Sequence, residues 1–220
     1  TVLTFMRSLF GALFSPFFPR FNHFIGLNDI EGLRKLYLSI VTLTLPFVVF
    51  PILSLFLLMD PFVNAWVGSH YKNSVLIAQL LIFCFINGFI SYPANFLIIA
   101  QEKIKILYIT ATIAPIIYWT GIALTIHSMG VTSFALFKLI AISLCGVIYF
   151  FITIKFLGFS PWVFAKRVLG PAFVPIAFLC VALLYFGQFM PKGKSTINLI
   201  TVVATGGASS AVALCLYYFL

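Results

Sequence analysis

Two cations and a row of amides are the residues of this chain best placed to do chemistry. Arg7 and Lys138 each fall inside an apolar run. If such a run crosses a bilayer, a cation near its centre costs about 3 kcal/mol on insertion scales and normally faces a partner or a wet cavity. The chemistry open to it there is anion binding, because a guanidinium can grip phosphate oxygens through two parallel bonds and an ammonium acts as a point charge. The plainer alternative is that each long stem carries its charge to the interface, and Lys138 lies only about 10 Å from one end of its run. In another apolar run Asn87, Ser91 and Asn95 recur every four residues and share one helical face, with Gly88 and Tyr92 beside it. Such a stripe either bonds to neighbouring helices or contacts a polar ligand. Thr110, Ala114, Tyr118, Gly121 and Thr125 form a similar small and polar face, for which helix packing is the simpler use.

Other chemistries lack their residues. His23, His70 and His127 are isolated, no paired carboxylates occur, and the patterns of zinc hydrolases, nucleophile elbows and phosphate-binding loops are missing. Asp29 and Glu31 are accounted for by helix capping. Cys84, Cys145, Cys180 and Cys215 sit far apart in apolar runs and read as small hydrophobes. The chain is therefore read as a non-enzyme with no catalytic residue, no cofactor and no metal site.

The elements that must carry these residues follow from composition. Hydrophobic residues make up 63% of the 220 and charged residues 8%, against roughly 25% charge in soluble domains. No water-soluble surface can be built from that. Apolar runs long enough to cross a bilayer as helices fall at about 36 to 59, 75 to 100, 106 to 126, 131 to 154, 171 to 190 and 197 to 220, with a truncated one at 1 to 14. Strand-like alternation is absent, so the expected fold is an all-α polytopic bundle of about seven spans. Thr1 is not an initiator Met, and the chain is expected to begin inside a span.

Orientation is read from Lys and Arg. Arg20, Arg34, Lys35, Lys103, Lys105, Lys155, Lys166 and Arg167 fall in one set of connections and Lys72, Lys192 and Lys194 in the other, eight against three, which makes the first set cytoplasmic. The basic excess is thus matched to membrane lipid rather than nucleic acid. Asn28 and Glu31 have capping-box spacing, and Ser160 with Pro161 can start a short amphipathic segment carrying Trp162, Phe164, Lys166 and Arg167, the alternative being an ordinary basic loop. Pro46, Pro51, Pro93 and Pro115 should bend their spans. Gly206, Gly207, Ser210 and Ala211 offer a close-packing face.

Four stretches, in order, resemble the oligosaccharide (O-antigen and polysaccharide) flippases of the multidrug, oligosaccharidyl-lipid and polysaccharide exporter superfamily. They are Phe18-Pro19-Arg20-Phe21 followed by Asn28 to Lys35; Ala65-Trp66-Val67-Gly68 with Tyr71; Leu97 to Lys105; and Met129 to Ala135, where Thr132 and Ser133 replace a common glycine-alanine pair. The likeness covers about residues 1 to 155. It implies that these form the C-terminal lobe of a two-lobed transporter and that 171 to 220 are an additional helix pair; the basic stretch between them, 156 to 170, is read from its residues as a cytoplasmic amphipathic linker. It further implies outward passage of a polyprenyl-pyrophosphate-linked oligosaccharide across a bacterial inner membrane by alternating access. Arg7 is the first expected contact to the anionic head and Lys138 the second, with Asn87 and Asn95 meeting sugar. Polysaccharide polymerase and chain-length machinery are the implied protein partners. A small-molecule exporter of the same superfamily, a membrane-embedded glycan enzyme and a structural membrane subunit are the rival readings.

Overall fold

A computed structural model describes the backbone of residues 2–191 and 193–219 and the side chains from residue 8 onward within those ranges. Among these residues every regular element is helical. The chain opens with α1 (Val2–Phe14), and a 3-10 turn at Ser15–Phe17, with Pro16 inside it, leads into α2 (Phe18–Gly26). Asn28 then takes a left-handed conformation with φ 53°, one that a short polar side chain tolerates. Asp29, rather than the expected Asn28, becomes the N-cap of α3 (Ile30–Leu57), its Oδ1 accepting from the Gly32 amide at 2.8 Å. Glu31 does not close a capping box. It pairs instead with Lys35 at 2.9 Å, one turn ahead.

Hydropathy and length give the rest of the architecture. After α3 come α4 (Met59–Trp66), α5 (Ser74–Phe83), α6 (Gly88–Ala100), α7 (Ile104–Met129), α8 (Thr132–Leu157), α9 (Pro161–Phe164), α10 (Gly170–Gln188) and α11 (Thr196–Phe219). Ser160 caps α9 as expected, accepting from the Trp162 amide at 3.2 Å. A π turn at Ala165–Leu169 makes α9 continuous with α10, so one helical run extends from Pro161 to Gln188. This segment buries Phe164 and Val168 and leaves Trp162, Lys166 and Arg167 exposed.

Five helical runs are long and apolar enough to cross a membrane, and a sixth is the pair α5 and α6, bent by 41° at its break. The expected count was about seven. The remaining one corresponds to α1, whose described 13 residues reach only about 20 Å. The protein is a multi-pass, all-helical membrane protein by these criteria.

At the centre stands α3, with 56% of its apolar window buried inside the protein against 17% for α7, α8 and α11. Its prolines explain part of its packing. Pro46 has no N–H to give the carbonyl four residues back, and that carbonyl, of Thr42, accepts instead from the Tyr217 hydroxyl of α11 at 3.0 Å. Tyr218 donates likewise to Leu43 O at 3.0 Å, and the Ser54 and Ser210 hydroxyls meet at 2.8 Å. Gly206 lets α11 approach closely, since a Cβ there would sit 3.3 Å from Leu58. Gly207 meets nothing within 4 Å, so the expected close-packing face is narrower than its spacing implied.

The two ends of the bundle separate as the charge pattern requires. At one end Arg34 donates from Nε to Leu157 O at 2.8 Å and from Nη2 to Gly158 O at 2.9 Å, satisfying carbonyls at the C-terminus of α8. Lys103 there lies over the Phe156 ring at 4.8 Å. At the other end the Ser195 amide donates to Ala65 O at 3.2 Å, joining the turn before α11 to α4.

Candidate functional site: a cleft between α6 and α8

The broken span builds the site. Between Phe83 and Gly88 the α-helical ladder gives way to tighter bonds, Phe85 N to Ile82 O at 3.1 Å, Ile86 N to Phe83 O at 3.0 Å and Gly88 N to Phe85 O at 2.8 Å. A Cβ on Gly88 would lie 3.0 Å from the Phe10 ring, so the absent side chain lets α1 cross α6 closely here. Phe10 and Phe14 of α1 pack on Tyr92 with centroids 5.5 Å apart, and Phe10 also meets Phe85 at 6.0 Å. They form an aromatic wall beside the break.

Facing it is α8, held close by another glycine. A Cβ on Gly146 would stand 2.9 Å from Ser91 Oγ. Around this crossing lies a cleft of about 530 Å³, bordered by the break, by α6 and α8, and by Ala114 of α7. Lys138, Asn87, Ser91 and Asn95 all line it, together with Cys145 and Tyr149. Three of the four expected site residues are thus brought together from two helices. The fourth, Arg7, has its side chain outside the described residues.

The polar groups are unequally satisfied. Asn87 Nδ2 reaches Ser143 Oγ at 3.4 Å, and Thr110 Oγ1 meets the Tyr149 hydroxyl at 2.7 Å, so both stripes do carry the interhelical bonds that the plainer reading requires. Yet Ser91 Oγ is buried with no hydrogen-bond partner among the described residues. Lys138 is half-buried, and the ion pair found among those residues lies elsewhere, between Glu31 and Lys35. A half-buried cation with no counter-charge among the described residues exerts a stronger field than one in water. The arrangement can take up a polar or anionic group, with amides and hydroxyls available for orientation and aromatic rings for an apolar portion.

The α8 contribution was not foreseen beyond Lys138. Its signal is the recurrence of Lys138, Ile142, Cys145 and Tyr149 at helical spacing, a face whose mixed polarity hides it from a search for polar stripes. Cys84 and Cys145 also border the cleft, but their thiols turn to carbonyls, Cys84 to Leu80 O at 3.2 Å and Cys145 to Thr110 O at 3.9 Å. On α7 the expected polar face divides. Thr110 and Ala114 reach the cleft or its wall, whereas Gly121 lies against the Phe137 ring and Thr125 bonds back to Gly121 O at 2.8 Å. Among the described residues no group of three His, Cys, Asp or Glu is placed to hold a metal ion. Compared with known proteins, the chain matches no family model, no curated protein and no solved structure.

Proposed function

We propose that this chain is a transporter lobe of the oligosaccharide-flippase kind, and that its cleft forms one wall of a cavity passing a polyprenyl-pyrophosphate-linked oligosaccharide across a bacterial inner membrane. The observation that supports this reading is the convergence of Lys138, Asn87, Ser91 and Asn95 on one cleft within the bundle, with no carboxylate paired to the lysine among the described residues. A pyrophosphate leaves water only when cations and donors replace its hydration. Lys138 and Arg7 supply charge in this reading, and the amides and Ser91 bond to sugar hydroxyls. The facing wall belongs to a second lobe, and the partners are glycan polymerase and chain-length machinery.

The test is glycan export in cells that depend on this protein. Lys138→Ala and Arg7→Ala, each shown by membrane fractionation to insert normally, are expected to abolish export, whereas Lys166→Ala, at an exposed site on the basic end, is expected to leave it intact. Full export by both variants sinks the proposal. The cleft also falls within the size range of small-molecule sites and has an aromatic side, which favours a small-molecule exporter as the second reading. Drug-dependent transport with indifference to lipid-linked glycan decides for that alternative.

A further inference from the structure

Away from the cleft, the amino-terminal end of α7 presents a second feature that the transport reading does not use. Lys105, Tyr108, Ile109, Thr112 and Ile113 line a shallow groove of about 570 Å³ along the outer face of this helix. Tyr108 is 71% exposed and Ile109 46%. The groove is graded by depth. Lys105 lies in the first turn at the basic end of the bundle, Tyr108 about 4.5 Å further along the axis and Ile113 about 12 Å. Thr112 turns its hydroxyl back to Tyr108 O at 2.9 Å, so the deeper part of the groove presents little but hydrocarbon.

Positive charge gathers at its head. Lys103, the N-cap residue of α7, is carried over the Phe156 ring of α8 at 4.8 Å, and Lys155 is the exposed neighbour of that ring in sequence. Lys103, Lys105 and Lys155 thus belong to the same end of the α7–α8 pair, with Glu102 as the nearby acid in sequence, and the first turn of α7 contains no acidic residue and no side-chain cap. Cations at a helix N-terminus oppose the macrodipole, and a bound anion relieves both.

We propose that this groove holds one anionic phospholipid, with its phosphate at Lys105 beside the Tyr108 phenol, and an acyl chain along Ile109 and Ile113. Charge complementarity chooses the occupant: Lys105 at headgroup depth, continuous with an apolar trough on a membrane-crossing helix and set at the basic end of the bundle, fits an acidic lipid better than a zwitterionic one.

The test uses the full chain purified in neutral detergent and mixed with equal amounts of phosphatidylglycerol and phosphatidylcholine, retained lipid being counted by native mass spectrometry. Wild type is expected to keep phosphatidylglycerol preferentially, and Lys105→Gln to lower its retention about fivefold, the change for one lysine near a lipid surface. The double variant Lys166→Gln, Arg167→Gln removes more charge from the same end but not from the groove, and is expected to retain the lipid as wild type does. Equal thermal unfolding of the three proteins excludes misfolding as the cause of a loss. Three results overturn the proposal: no preference for phosphatidylglycerol in wild type, equal losses in the groove and control variants, or full displacement of the lipid by soluble glycerol phosphate.

Discussion

Ser91 places a buried hydroxyl against Gly146 with no hydrogen-bond partner among the described residues. An unmet buried polar group costs about 1–3 kcal/mol, a cost that a ligand able to bond with it would remove. Ser91→Ala is therefore expected to raise the thermal unfolding midpoint of the ligand-free protein by the equivalent of about 1 kcal/mol while lowering transport. Thermal unfolding in detergent and an export assay check the two halves, and unchanged export in a stabilised variant removes Ser91 from the site. The residue type was readable beforehand, as one member of the Asn87, Ser91, Asn95 stripe. Its lack of a partner was not, because that depends on how closely Gly146 lets α8 approach.

Among the elements, α3 and α11 are joined by a repair. Pro46 leaves the Thr42 carbonyl without its helical donor, and the Tyr217 hydroxyl supplies one at 3.0 Å. Tyr217→Phe is expected to destabilise the protein by about 1 kcal/mol, the size of an interhelical bond within a membrane protein. In a Pro46→Ala background the same change is expected to cost less, because the backbone amide restored at that position can serve Thr42 O within α3. A double-mutant cycle on thermal unfolding measures this coupling, and equal costs in both backgrounds show that the bond does not compensate for the proline. The positions of the prolines were legible in the sequence. That a tyrosine about 170 residues away answers one of them was not, since no local pattern links the two. The break between α5 and α6 was hidden for a related reason. Residues 75 to 100 read as one apolar span because Cys84, Phe85 and Ile86 continue its hydropathy, while the bend falls where Phe10 and α8 pack against the chain.

For the whole molecule, the lysine and arginine distribution predicts a sidedness that the fold accommodates, with Arg34, Lys103 and the α8 terminus at one end and Ala65 with Ser195 at the other. In a background with Cys84, Cys145, Cys180 and Cys215 replaced, Lys105→Cys is expected to react with an impermeant thiol reagent only after the cells are opened, and Ser69→Cys in intact cells. The reverse pattern inverts the topology and the direction of any transport. The sequence by itself determined that the chain is helical, that it crosses the membrane several times and which ends share a side, because hydropathy, span length and charge bias are properties of local composition. It also supplied the polar stripe and Lys138. Only the tertiary structure decided that these face one another across a single cleft, that one apolar run is two helices, and that the central helix is α3. Those outcomes depend on which glycines admit which neighbours, as Gly88 admits Phe10 and Gly146 admits Ser91, and such contacts join residues whose separation in sequence carries no periodic signal.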